Sequence, residues 1–242
     1  SDNTVYPLGT IAEILDWCER EGKSFWEYVQ DYDKPDIWDY LENIWTAMCD
    51  TIDNGLNNDG VLPGGLKVAR KACTYWVKSK EYAPSVSNRS RLYAYALATA
   101  EENASGGPVV TAPTCGSCGV LPAVLYHLAD VNSYRPIRIL RALATAGVFG
   151  NVVKANASIS GAEVGCQGEI GVACAMAAAA ACQLMGGTPA QIEYAAEMAL
   201  EHHLGLTCDP VCGLVQIPCI ERNAVAAARA IDSATFAILS DG

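Results

Sequence analysis

The sequence predicts an all-α protein: a single compact helical domain packed around a central, buried helix rich in glycine and alanine. Three observations carry that expectation. Apolar residues recur at three- and four-residue spacing in one segment after another, as amphipathic helices require. The one stretch that reads as extended, residues 109–111, is too short to change the class. Residues 171–185 are dominated by alanine, whose short side chains suit a helix closely surrounded by its neighbours. No repeat, low-complexity tract or linker divides the chain, so residues 1–242 are expected to form one domain. Within it, residues 1–60 are expected to be peripheral helices and residues 61–242 the core that carries the chemistry.

Taken in order, Leu8, Ile11, Ile14 and Leu15 mark a first helix, which breaks at Gly22. Ser24 with Glu27 three residues later is a capping box and opens a second. A third covers about residues 35–52 and holds Trp38 and Trp45; with Trp17 and Trp26 these aromatics read as core or subunit-interface packing. Residues 57–65 (NNDGVLPGG) form a loop. Residues 66–72 (LKVARKA) read as a basic helical start, either a solvated face or an anion-facing patch. Another helix is expected over residues 88–104. Gly116 and Gly119, with Pro122 just beyond, describe a tight loop feeding a helix N-terminus. Free backbone N–H groups and the helix dipole there favour an anion such as a substrate carboxylate. A further helix runs over residues 136–154 and ends in the polar set Lys154, Asn156, Ser158 and Ser160.

Composition excludes some functions. The formal net charge is −11, and no compact Lys/Arg block offsets it, so a nucleic-acid backbone would be repelled. The first ten residues lack the basic and apolar regions of a signal peptide. The apolar run at residues 171–185 falls short of the roughly 20 residues of a membrane span. A soluble, cytoplasmic protein is the expectation. In that compartment eleven cysteines point to metal ligation or buried thiols rather than disulfides.

Residues 161–223 hold six of the eleven cysteines and two of the three histidines. Gly161, Gly165 and Gly168 are spaced to share one side of a helix, with Cys166 inside that glycine face. Each glycine costs a helix roughly 1 kcal/mol relative to alanine, which is tolerated where a neighbour or cofactor must approach the backbone. Cys174 and Cys182 each lie eight residues further on, a rotation of about 80° per step, so the three cannot face one point; these two read as packing. Gly205 is expected to close the helix before Cys208, and Asp209-Pro210 to force a turn. Cys219 falls in the first turn of a helix running to about residue 239, where the dipole favours a thiolate. Such cysteines suit zinc, a redox couple or an iron–sulfur cluster, and spacing alone does not choose. Cys115-x-x-Cys118 and Cys208-x₃-Cys212 have the close pairing common in zinc sites.

Residues 156–178 (NASISGAEVGCQGEIGVACAMAA) and 201–226 (EHHLGLTCDPVCGLVQIPCIERNAVA) resemble the α-chain, or catalytic α domain, of bacterial iron–sulfur L-serine dehydratase. The likeness extends through residues 61–72 and 111–125, and so covers most of the chain. It implies an all-helical domain, a [4Fe–4S] cluster held by Cys166, Cys208 and Cys219, and conversion of L-serine to pyruvate and ammonia. Three thiolates leave one iron free to act as a Lewis acid on the substrate. The resemblance also implies a separate β-chain or domain and a homo- or hetero-oligomer. Thr114, Cys115, Gly116, Ser117, Asn156 and Ser158 are the expected substrate-binding residues. His202, His203 and Lys154 are the candidate catalytic groups on this chain, with the partner chain an equal source of the base. No lysine motif for pyridoxal phosphate stands out. Alternatives are a non-catalytic zinc or redox-active cysteine domain, and the same fold acting on L-cysteine.

The chain departs from the family pattern at two places. The family loop often reads Asn-Gly-Ala-Ala-Gly where this chain has Cys115-Gly116-Ser117-Cys118-Gly119, and Cys212 stands where a small residue is common. The family also continues into a tail that reaches back toward the cluster, whereas this sequence stops at Gly242, as a truncated domain would.

Overall fold

A computed structural model describes residues 4–242. Eleven α-helices and no strand are present among these residues, as the periodicity predicts. The helices are α1 (Ile11–Glu21), α2 (Phe25–Tyr32), α3 (Ile37–Asn57), α4 (Ala72–Lys78), α5 (Pro84–Ala104), α6 (Val120–Asn132), α7 (Pro136–Asn156), α8 (Gly161–Val164), α9 (Cys166–Leu184), α10 (Pro189–Glu201) and α11 (Cys219–Ile238).

Local signals set the first boundaries. Thr10 Oγ1 accepts from Glu13 N and Glu13 returns a bond to Thr10 N, so α1 starts on a capping box. Gly22 ends α1 in the left-handed conformation (φ 64°). Glu27 closes the start of α2 by accepting Ser24 N–H at 2.7 Å. Helix α3 runs to Asn57, five residues past the expected end, and α5 begins four residues early with Pro84 in its first turn.

The core is built around α9, which is buried along nearly its whole length and packs against α6, α7, α10 and α11. Alanine is what permits this: with so little side chain, neighbouring helices approach closely on every side. A second layer forms where α5 packs against α3, α4 and α11. Helices α1–α3 are less peripheral than expected. Phe25 and Ile52 are completely buried in the same core, and the Phe25 ring lies 5.1 Å from that of Phe149 on α7. Helix α7 is long and apolar enough to cross a membrane by composition, yet 56% of its most apolar window is buried inside the protein, as a core helix would be.

The basic segment at residues 66–72 is not a helical start. Residues 66–71 are irregular, with an isolated bridge between Val61 and Ala69, and α4 begins only at Ala72. The reason lies 30 residues away. The buried Glu101 carboxylate accepts from Lys71 N at 2.6 Å and Ala72 N at 3.3 Å, and so supplies the cap. Part of the segment is a solvated face, with Lys67 and Ala69 exposed, but it is not an open anion patch. Arg70 turns inward to Glu102 at 2.8 Å, and Lys71 pairs with Glu221 at 2.6 Å.

Candidate functional site

The glycine-rich segment folds differently from its expected single helix. Gly165 has φ 78°, which ends the one-turn α8, and α9 starts afresh at Cys166. A Cβ on Gly165 would stand 2.7 Å from the Leu206 carbonyl oxygen. Gly161, Gly165 and Gly168 therefore share no helix face. Instead Gly165 lets the residue 205–208 loop come against the start of α9, and Cys166 becomes that helix's first residue.

Gln167 holds the loop in place. Its backbone N–H donates to Leu206 O at 3.0 Å, its Oε1 accepts from Gly205 N at 2.9 Å, and its Nε2 donates to Val164 O at 2.7 Å. The result is a cleft of about 440 Å³ between α8 and the loop, lined by Gly161, Val164, Gln167, Leu206, Thr207 and Cys208. Helix α10 ends at Glu201, so Gly205 sits in the following turn rather than closing the helix.

The three cysteines arrive from separate elements. Cys166 and Cys219 are the first residues of α9 and α11 and are buried; Cys208 is exposed on the loop. Cys208 bears on each of the other two. Burial pushes the Cys166 thiol up to about 11, with Cys208 adding to the rise, while the Arg222 charge pulls the other way. Burial raises the Cys219 thiol too, again opposed by Arg222 and reinforced by Cys208 and Glu169. Arg222 also donates to Thr207 O at 2.8 Å, which fixes its head beside the loop. Gly161 forms part of the floor: a Cβ there would stand 3.5 Å from Cys208 Sγ and 3.3 Å from Glu169 Oε2. Among the described residues, no three His, Cys, Asp or Glu side chains close around a preformed single-ion site.

The loop of residues 114–119 adjoins this group. A Cβ on Gly116 would run into the Glu169 carboxylate, so the loop backbone and Glu169 lie in direct contact. Asn223, fully buried on α11, secures the loop: its Oδ1 accepts from Gly119 N at 2.9 Å and its Nδ2 donates to Gly116 O at 3.0 Å and Cys219 O at 2.9 Å. The Gly119 N–H, expected to be free for an anion, is therefore occupied. Ser117 is turned inward, with its hydroxyl on Ala112 O at 3.3 Å and beside Thr114 Oγ1 at 3.2 Å.

The other predicted site residues are dispersed. Ser158 bonds to Glu163 on α8, and its carbonyl would be 2.9 Å from a Cβ on Gly168, so it borders the start of α9. Asn156 instead donates to Gly9 O at 2.7 Å, and Lys154 lines a different cavity with Tyr6, Leu8 and Val152. His202 is exposed, with Nδ1 against Met198 O at 2.8 Å, in a third cavity beside Arg229. His203 is buried, its Nδ1 2.7 Å from Ala199 O, and packs on α9 near Gly171. Neither histidine lines the cysteine cleft. Cys174 and Cys182 are fully buried packing residues, as expected. Glu169, Arg222 and Asn223 are the site residues that sequence reasoning missed. They lie three residues beyond Cys166 and three and four beyond Cys219, about one helical turn along, but the partners that define their roles are distant in sequence.

The family model described as "Serine dehydratase alpha chain" matches residues 10–242. The chain is 46% identical over 243 residues to L-serine dehydratase 1 of Escherichia coli (strain K12), with 96% of this chain and 54% of that protein covered. It is 47% identical over 250 residues to L-serine dehydratase of Streptomyces coelicolor, covering 100% of this chain and 55% of the relative. L-serine dehydratase of Mycobacterium tuberculosis is 44% identical over 253 residues, covering 98% and 54%. The chain thus spans about half the length of the curated relatives it matches.

Proposed function

Because the chain belongs to the serine dehydratase alpha-chain family, we propose that it is the catalytic part of an enzyme that converts L-serine to pyruvate and ammonia. The names of its relatives support the substrate, and the observation that carries the reading is that Cys208 bears electrostatically on both Cys166 and Cys219, with Arg222 and Glu169 acting on the same two thiols. The relatives are about twice as long, so a β-chain or β domain and an oligomeric assembly belong to the proposal. So does a reducing, cytoplasmic setting, which suits eleven free thiols.

The donor set fits a [4Fe–4S] cluster. All three are soft thiol donors, and burial makes the bare thiolates of Cys166 and Cys219 costly, a cost that a cationic iron group would offset. Gly161 leaves open the space beside Cys208 Sγ that a side chain would fill. When bound through Cys166, Cys208 and Cys219, such a cluster supplies a Lewis acid, one iron lacking a protein thiolate.

The chain's own groups do the positioning. Arg222 adds positive charge at the thiols and ties α11 to the Thr207 carbonyl. The loop of residues 114–117, held by Asn223, presents its backbone at Gly116 to Glu169. Glu169 is the carboxylate that faces this loop, and we assign it to holding the substrate ammonium. Loss of the α-proton and of the β-hydroxyl as water gives an enamine, which tautomerises and hydrolyses to pyruvate and ammonium. With His202, His203 and Lys154 outside the cleft, we assign the α-proton acceptor to the remainder of the enzyme.

The test is pyruvate release from serine, threonine and cysteine by anaerobically reconstituted protein, with and without the β-portion. Serine turnover that needs both iron and the β-portion is expected. Turnover of cysteine alone would transfer the reading to a desulfidase, and stoichiometric zinc without iron would refute the cluster.

A further inference from the structure

The Cys115-Gly116-Ser117-Cys118 turn has chemistry that the proposed dehydratase reaction does not use. Cys118 N–H donates to the Cys115 carbonyl at 3.4 Å, the hydrogen bond of a four-residue turn. Such a turn brings its end Cα atoms within about 7 Å, and a disulfide spans about 4.4–6.8 Å between Cα atoms. The two cysteines differ sharply in access. Cys115 is exposed, Cys118 is completely buried beneath the turn, and both thiols are free. The turn is also held firmly: Asn223 binds Gly116 O and Gly119 N, and the Ser117 hydroxyl binds Ala112 O. Its ends therefore do not drift apart.

We propose that Cys115 and Cys118 form a thiol-modification site that exchanges with low-molecular-weight disulfides of the glutathione class and closes to an intramolecular disulfide. The exposed Cys115 thiolate attacks one sulfur of the incoming disulfide. A Cys115 mixed disulfide forms, the S–S bond of the reagent breaks, and one thiolate leaves and takes a proton from water. Cys118 then attacks the Cys115 sulfur, expelling the second reagent thiolate, which takes up the Cys118 proton. The protein loses two electrons and two protons, and one disulfide is reduced to two thiols. Division of labour follows from access: an exposed first nucleophile and a buried resolving thiol. Burial, with Cys115 close by, raises the Cys118 thiol to about 12, which keeps it protonated until the mixed disulfide is beside it.

The competing pair is Cys208 and Cys212, both exposed. They lie on a separate loop around the turn at Val211–Gly213, where Cys212 itself has φ 55°. The geometry favours the 115–118 pair because its turn hydrogen bond already sets the end-to-end distance.

The test treats the chain, as isolated anaerobically, with defined mixtures of oxidised and reduced glutathione, then quenches it in acid, alkylates it and maps its peptides. A Cys115–Cys118 disulfide in most molecules is expected, with Cys208 and Cys212 still alkylated. Cys118→Ser should stop at one glutathione on Cys115, and Cys115→Ser should leave Cys118 unmodified. A Cys208–Cys212 disulfide formed in preference, or a persistent Cys115 adduct in the unmutated chain with Cys118 still alkylatable, would overturn the proposal. The readout involves thiols alone, so its failure leaves the dehydratase reading intact, and failure of that reading leaves this one intact.

Discussion

Cys166 is held between two opposing influences, burial that disfavours its thiolate and the Arg222 guanidinium that favours it. Replacing Arg222 with Gln should therefore lower the thiolate fraction of Cys166. In metal-free protein near pH 8, we expect alkylation of Cys166 to slow several-fold, while that of the exposed Cys212 stays unchanged. His127 gives a pH test unrelated to the site. Burial first, then Arg91, lowers its imidazole to about 4, against Asp130 acting the other way, and its Nδ1 has no partner. The folded state thus favours the neutral ring. The stability this contributes is complete above the ordinary histidine value near 6.5 and is lost as pH falls through the folded value near 4. The loss is on the order of 3 kcal/mol. Urea titrations at pH 7 and pH 4 should show His127→Gln losing less stability over that interval than the parent chain. At this scale Cys174 and Cys182 were legible as packing residues, because steps of eight residues turn them away from Cys166 around the helix. Glu169, Arg222 and Asn223 were not, because their roles depend on contacts with Gly116, Thr207 and Gly119, all distant in sequence.

Helix ends show the same division between near and far causes. The capping box at Ser24 could be read directly, since it is completed within four residues. The start of α4 could not, because its cap is the Glu101 carboxylate of α5. The break at Gly165 was also hidden: glycines at three- and four-residue spacing fit a continuous helix equally well, and only the Leu206 carbonyl pressed against Gly165 decides otherwise. Gly165→Ala should consequently destabilise the protein by about 1–3 kcal/mol, since it forces a side chain into a positive-φ site against a backbone oxygen. It should also loosen the cleft. Urea midpoints and faster amide exchange over residues 205–208 would register both effects.

Across the whole molecule the all-α class and the buried α9 were predictable from periodicity and alanine content. The integration of α1–α3 into the common core was not, since it rests on contacts such as Phe25 with Phe149. Long-range ionic ties add to this. The side chains of Arg70 and Glu102 are 8% and 11% exposed and lie 2.8 Å apart, joining the irregular residue 66–71 segment to α5. Arg70→Ala would leave the Glu102 charge without its partner and should cost about 3 kcal/mol in urea unfolding, far more than a surface pair. The central claim is a cluster held by Cys166, Cys208 and Cys219, and iron and sulfide quantitation after anaerobic reconstitution tests it most directly. The parent chain should bind about four irons and four sulfides, and Cys166→Ala, Cys208→Ala and Cys219→Ala should each lose that complement while keeping their helical circular dichroism. Full iron and sulfide in all three variants would contradict the account.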